Sequence, residues 1–415
     1  MNGPNLAKMA WRNLWRHRRR TLITLSSIAF GTMLAILFTG LGDSNFGGMI
    51  DLAARLGGGH VTLQHDEYLD TPTLGRSVED IIALSELALR DPDVERVVTR
   101  ISGQMMLASA AQNQGAAFIA FDPAAEDADT LSVIEAIDEG QPFGAGDAEG
   151  IILGRRLAEN LKAPLGRKVV FTVTDRHGDI IQEATRVRAI VSTGAPSVDA
   201  GLALLPLRAL QRSVGYAGDE AGQVAVFLRD QRKAGAVAER LSASLGSGVS
   251  ALPWYEIQPD LAGFIGMKVA GTRFMEIIIM LLIAAGIFNT LFVSVMERMR
   301  EFGILMAIGF TPKHLFGLVM FESLWLGLSG LVLAGLLVAY PYHYLHSVGI
   351  DIADQIDMSG SEIAGVAVST VMRVAIYPEN LALILAVALG ATLLSGLYPA
   401  WKAGTVAPVE SIRLV

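Results

Sequence analysis

Four long apolar runs divide the chain. Thr21–Leu41 is 21 consecutive residues without a charge, long enough at 1.5 Å per residue to cross roughly 30 Å of hydrocarbon. Further runs follow at 269–296, 313–341 and 379–401, with Ile277–Ile283 the most apolar stretch of the second. Aromatic residues mark their edges, as expected at lipid headgroups: Tyr340, Tyr342 and Tyr344 after the third run, Tyr398 and Trp401 at the end of the fourth. Between the first and second runs the pattern changes. His60–Leu63, Val169–Thr174, Arg186–Val191 and Gln223–Leu228 read as strands, and Val78–Leu89 and Ala234–Leu245 as helices. Gly and Asp clusters at 140–150 and 175–179 read as turns. The pattern predicts a polytopic α-helical membrane protein: a first span at 21–42, a large α+β domain over 43–268 inserted after it, and three more spans. Both ends of that domain are tied to membrane helices, so it cannot move without the first and second spans.

Charge fixes an orientation. Lys8, Arg12, Arg16, Arg18, Arg19 and Arg20 precede the first span with no acidic residue among the first twenty. Arg298, Arg300 and Lys313 lie between the second and third, and Lys402 follows the fourth. The loop at 342–378 carries Arg373 against Asp351, Asp354, Asp357 and Glu362. The positive-inside rule then places both termini and the 297–312 connection in the cytoplasm, and the 43–268 domain and the 342–378 loop outside. Within that loop, Ser361–Ile376 is apolar but short and β-branched, and reads as strand or interfacial segment. An N-terminal apolar run can also be a secretory signal, but this one is too long for an h-region and no A-x-A site closes it. The basic segment 1–20 sets Trp11, Leu14 and Trp15 among cations. It fits either an amphipathic helix on membrane lipid or a solvated flank that only sets topology.

Composition narrows the chemistry. The chain is 52% hydrophobic and 18% charged, against about 25% charged for ordinary soluble domains, with a mean hydropathy of +0.43. Residues 43–270 carry 31 acidic and 20 basic side chains, a net of −11, which argues against nucleic acid as a partner. There are no cysteines, hence no disulfide and no thiolate metal site. His60 and His65 fall on opposite faces of a strand, and His343 and His346 sit among interfacial aromatics; neither spacing suits a shared metal. No Gly-Lys dipeptide occurs, so these residues hold no Walker-type phosphate loop, and H-E-x-x-H and G-x-S-x-G are absent. No catalytic constellation emerges, which disfavours an enzyme; any ATP and Mg would bind to a partner chain, with no cofactor on this one.

Two polar positions inside the apolar runs stand out. Asn289 lies eight residues before Glu297 and Glu322 nine after Lys313, so both are expected roughly 12–14 Å inside their helices. An unpaired carboxyl at that depth is costly. The two are expected to face each other between antiparallel second and third spans, with Ala284-Ala285-Gly286 and Gly327/Gly330 allowing close packing.

The connection between those spans is the most informative stretch. Glu297, Arg298, Arg300 and Glu301 alternate with Met299, Phe302 and Met306. Gly309 suits a helix stop, and Thr311-Pro312 an N-cap with Pro at N1. Residue physics leaves two readings open, a docking surface for a partner and a charged flank that sets topology. The stretch Glu297-Arg-Met-Arg-Glu-Phe-Gly-Ile-Leu-Met-Ala-Ile-Gly309 resembles the E-R-x-R-E-[IF]-G-x-L-x-A-x-G motif of FtsX-like ABC transporter permeases of the MacB and LolC/LolE type. Gly396-Leu-Tyr-Pro-Ala-Trp-Lys-Ala-Gly404 and Pro408-Val-Glu-Ser-Ile-Arg413 resemble the same family's C-terminal signature. Gly59-His-Val-Thr-Leu-Gln-His and Gly150-Ile-Ile-Leu-Gly-Arg-Arg-Leu-Ala resemble its periplasmic core.

The resemblance implies that 297–312 is a coupling helix docking a cytoplasmic ABC ATPase dimer through Glu297, Arg298, Arg300, Glu301 and Gly303. It implies a two-lobed outer domain with an inserted lobe at about 121–222, and a second permease copy or paralogue. With no ATPase fused to it, the chain is expected to be closer in layout to LolC/LolE than to the self-contained MacB type. It is expected in the bacterial inner membrane, releasing lipoproteins or other amphipathic substrates by mechanotransmission, with a periplasmic carrier or adaptor as a further partner. Two alternatives are a signalling permease that regulates an extracytoplasmic cell-wall hydrolase, and a peptide or drug exporter.

Overall fold

The computed structural model describes residues 3–146, 149–352, 362–363, 366–367 and 371–405. Asp354, Asp357 and the Pro408–Arg413 signature lie outside them, as does most of the 402–415 tail. The chain divides into two compact units. One comprises Met1–Asn45, Gly266–Asp351 and Val371–Val415; the other comprises Phe46–Ile265 and Ile352–Thr370.

The first unit is helical. Among the described residues, four helices are long and apolar enough to cross a membrane: Arg18–Leu56, Pro259–Glu297, Pro312–Ser347 and Pro378–Gly404. Three of the four begin with Pro at their first position, where its missing N–H costs nothing. The first helix does not stop where its apolar run stops. Nothing between Gly42 and Leu56 breaks a helix: there is no proline, and glycines such as Gly47 and Gly48 cost only about 1 kcal/mol each. Small residues set the packing. Gly330 faces Ile28 of the first helix, Gly327 faces Leu389 and Thr392 of the fourth, and Gly396 meets Ser323. Ser395 donates to the carbonyl of Ala284 at 2.9 Å, so the small run at 284–286 meets the fourth helix. Asp43 takes the Tyr377 N–H (3.0 Å) and the Asn380 amide (2.9 Å), joining the first helix to the start of the fourth.

The second unit is built on a ten-stranded sheet. Its order runs Val249–Pro253, Val61–His65, Gln223–Leu228, Val94–Ala108, Asn113–Phe121, Leu202–Pro206, Ile151–Gly154, Ile180–Val191, Ile137–Gly140. Lys168–Thr174 pairs with Ile180–Val191 and also returns to the far end of Val94–Ala108, through Met106–Ala108. Six strands thereby close into a ring. The 15-residue strand Val94–Ala108 makes this possible, because one edge serves Gln223–Leu228 along its first half and Lys168–Thr174 along its last three residues. Inside lie Ile101, Leu107, Phe118, Ile151, Leu153 and Val187, all fully or nearly fully buried.

All four expected strands form, as Val61–His65, Lys168–Thr174, Ile180–Val191 and Gln223–Leu228. The expected helix at 78–89 starts later, at Ile81, because Val78–Glu79 pairs with Glu220–Ala221. Gly59 has φ +82 and lies against the backbone of Val226, where a Cβ would sit 2.7 Å from the carbonyl oxygen; only glycine fits that turn into the strand.

A buried ion pair pins this unit. Arg100 and Glu126 both have fully buried side chains; the Arg100 Nε donates to Glu126 Oε1 at 3.0 Å. The same guanidinium caps the carbonyls of Arg55 (3.2 Å) and Gly57 at the end of a helix, and that of Thr130 (2.6 Å). On the surface, Arg240 grips Asp91 at 2.7 Å and Asp93 at 2.9 Å, and Lys233 meets Asp93 at 2.6 Å. The Arg240 guanidinium holds the Asp91 carboxyl below the usual carboxylate range, and the Lys233 ammonium does the same for Asp93.

Two outcomes follow. Arg100→Leu strands a buried carboxylate and three carbonyls, and is expected to lower unfolding free energy by about 3–5 kcal/mol, read from denaturant titration of the full chain. Arg240→Gln is expected to lower the melting temperature slightly at pH 7. A depressed carboxyl pKa stabilises the fold above the unfolded value, and that gain disappears as pH falls through the folded one. The gap between variant and parent should therefore close below about pH 4.

Candidate functional site

The elbow between the second and third long helices is a separate helix, Met299–Ala307. The preceding helix ends at Glu297, and Arg298 leaves helical geometry at φ −99, ψ 7. The elbow stops at Gly309, φ +104, whose N–H and that of Phe310 return to the carbonyls of Met306 and Leu305. Thr311 then caps the third helix reciprocally with His314, and Pro312 follows at the first position. These are the local signals read from the sequence.

The elbow lies on an apolar bed. Phe302 is fully buried among Val295, Leu315, Leu318 and Val319, with Ala400 and Ala403 of the fourth helix. The N-terminal helix Gly3–Leu14 completes it through Leu6 and Ala10, one face at i, i+4. Trp325 of the third helix donates its indole N–H to the Ala7 carbonyl (3.1 Å) and stands edge-on to Trp11 at 5.1 Å. The basic segment does form a helix, but its apolar face packs on the protein, which neither reading of the segment foresaw.

Polar contacts across this bed form one network. Arg298 Nη1 contacts both oxygens of Glu322, at 3.0 and 3.1 Å, with side-chain exposures of 12% and 8%. Asn13 gives its amide N–H to Glu322 Oε1 at 3.0 Å. Arg298 also reaches Glu301 (3.3 Å) and lies over the Phe302 ring at 5.1 Å. Glu301 in turn accepts from Arg16 at 3.0 Å, and Glu297 from Arg20 at 2.8 Å. Arg20 also donates to the Thr290 carbonyl.

The expected pairing of Asn289 with Glu322 is therefore overturned. Glu322 is buried, but its partners are Arg298 and Asn13, while Asn289 is exposed beside the basic segment. The reason is the break at Arg298, which turns the elbow back under the third helix and brings its guanidinium onto Glu322. The contact between Arg20 and the Thr290 carbonyl likewise places Asn289 at the level of a cationic cluster.

The five residues singled out on the elbow separate into three groups. Arg298 and Gly303 are turned inward, and Glu301 is half exposed and ion-paired. Glu297 is exposed but held by Arg20, and Arg300 is exposed with no partner among the described residues. Arg300 shares its face, at i, i+4, i+7 and i+8, with Ile304 (50% exposed), Ala307 and Ile308 (70% exposed). Sequence reading missed this apolar part of the face, and missed Asn13, Arg16 and Arg20 as partners. It also missed Glu276 within the second span, which accepts from the buried Thr39 hydroxyl of the first. Asn13, a neutral amide between Arg12 and the buried Leu14 in a basic apolar helix, was the available signal.

His60, His65 and His346, singled out in the sequence, are held by other partners. His60 is buried, with its Nε2 2.9 Å from Asp51 and its Nδ1 accepting the Leu228 N–H. His65 lies beside Asp66 on the surface, and His346 contacts the Val374 carbonyl at 3.0 Å. Among the described residues, no group of three His, Asp or Glu could hold a metal ion.

Four helices long and apolar enough to cross a membrane, a sheet-based unit and a short amphipathic elbow are the architecture of a multi-pass membrane protein. Two family models match it: the MacB-like periplasmic core domain over residues 21–244, and the FtsX-like permease C-terminal over 273–408. The chain belongs to this FtsX/MacB family and is an ABC transporter permease of the MacB/LolC/YtrF type. It is 29% identical to the ABC transporter permease YtrF of Bacillus subtilis over 34% of this chain, and spans about a third (32%) of that relative's length. It is 23% identical to the lipoprotein-releasing system transmembrane protein LolC of Xylella fastidiosa strain 9a5c, over 85% of each chain. The crystal structure of the extracellular domain of the transporter YknZ aligns with 46% of this chain and 98% of that one, at TM-score 0.33 and 16% identity.

Arg298→Leu leaves the Glu322 carboxylate buried with Asn13 alone, and is expected to cost about 3–5 kcal/mol of stability. Replacing Arg298 and Glu322 together by Leu removes both charges and should recover most of that loss. Thermal unfolding of the three purified proteins, followed by tryptophan fluorescence, checks this ordering.

Proposed function

We propose that this chain is a permease subunit working by mechanotransmission: a separate cytoplasmic ATPase dimer binds ATP and Mg, closes, and moves the elbow. The spans carry the motion to the 43–268 domain on the outer side of the bacterial inner membrane. The observation that carries this reading is the exposed elbow face of Arg300, Ile304, Ala307 and Ile308. Two large aliphatic side chains there, Ile304 and the capping Ile308, are left uncovered by the chain while Phe302 and Gly303 on the opposite side of the elbow are buried. Such a patch beside an arginine with no partner among the described residues suits a groove in a partner protein. The basic 1–20 segment and Arg300 support a cytoplasmic side for the elbow and both termini. These 415 residues contain no phosphate loop, which supports placing ATP on another chain.

Release of lipoproteins or other amphipathic molecules from the outer leaflet is the substrate reading. It is supported by the match to LolC across most of both chains. Four spans in one chain leave little room for a conventional channel, which favours work done at the outer surface by two permeases together. A periplasmic carrier would receive the product.

Ile304→Asp with Ile308→Asp should weaken ATPase capture by at least tenfold while membrane insertion is unchanged, measured by co-purification from detergent. Undiminished capture would refute the docking face. Depletion of the chain should leave lipoproteins in the inner membrane; normal release would point instead to hydrolase regulation or to peptide or drug export.

A further inference from the structure

A groove of about 870 Å³ runs between the start of the first long helix and the end of the second. Its basic wall is Arg16, Arg18, Arg19 and Arg20, and its other wall includes Asn289 and Val293. The four cations are not equivalent. Arg20 is neutralised by Glu297 and Arg16 by Glu301. Arg18 and Arg19 are exposed and pair with no acidic residue among those described, so the groove carries two uncompensated positive charges. Asn289 offers an exposed amide with no partner among the described residues, at the level of Arg20. The groove is not polar throughout. Ile23, 68% exposed, and Val293, 40% exposed, line it beside the cations.

We infer that this groove is a binding site for one anionic phospholipid, with its phosphate on Arg18 and Arg19 and its glycerol ester oxygens on the Asn289 amide. An acyl chain would cover Ile23. Three features point to a lipid. The site lies on two membrane-length helices, its free charge matches one or two phosphates, and apolar side chains adjoin the cations where a soluble anion would leave them bare. A basic flank that serves only to orient the chain needs cations alone; it needs neither the groove nor a neutral amide opposite them.

The test uses the full purified chain in detergent, mixed with equal amounts of phosphatidylglycerol and phosphatidylcholine, with retained lipid read by native mass spectrometry. The parent should retain phosphatidylglycerol preferentially. Arg18→Gln and Arg19→Gln should each lower that preference about fivefold. Arg12→Gln, which removes an exposed cation outside the groove, should leave it unchanged. Asn289→Leu alters no charge and should also lower the preference several-fold, with Asn289→Ala as a second variant should the first fail to fold. If Arg12→Gln acts as strongly as Arg18→Gln, or if both Asn289 variants bind as the parent does, diffuse charge explains the attraction and the site is refuted. Displacement of phosphatidylglycerol by millimolar glycerol 3-phosphate would equally refute it, in favour of a soluble phosphate ligand.

Discussion

A carboxylate on the buried face of an apolar helix imposes the organising constraint on the helical unit. A carboxyl buried on the face of Leu318, Val319 and Leu326 is costly to desolvate, by several kcal/mol, unless a cation and hydrogen-bond donors meet it. The third helix supplies none within reach. Arg298 supplies it by leaving the second helix one residue after it ends and folding back. Phe302 is thereby buried, and the elbow takes its place along the base of the third helix. Asn13 satisfies the same carboxylate from the other side and brings the N-terminal helix with it.

The division of labour on the elbow follows from this. A helix of nine residues has only two faces to offer. One is committed to the ion pair and the aromatic bed, so the other is what a partner can touch. Motif residues that looked equivalent in sequence thus do different work: Arg298 and Gly303 shape the elbow, Glu297 and Glu301 tie it to the basic segment, and Arg300 faces out.

Much of this was legible in the sequence. Unbroken apolar length gave four membrane-length helices, β-branched runs gave four strands, and Gly309 with Thr311-Pro312 gave the elbow's limits. Each is a local signal. The failures were non-local. The ring closure depends on Lys168–Thr174 finding the last three residues of a strand some sixty positions earlier, which no periodicity encodes. The error over Asn289 and Glu322 came from treating depth along a helix as a substitute for its neighbours. A break of a single residue at Arg298 changes which groups share a level.

The asymmetry of the Arg298–Glu322–Asn13 contact bears on modularity. Its three members lie on three different elements, spaced across more than three hundred residues of chain. An elbow transplanted alone from a relative would bring its own cation to a carboxylate and an amide tuned for another. The working unit is therefore the triad with its three helices, and a change in the N-terminal helix of this chain is felt at a contact whose other members lie hundreds of positions away.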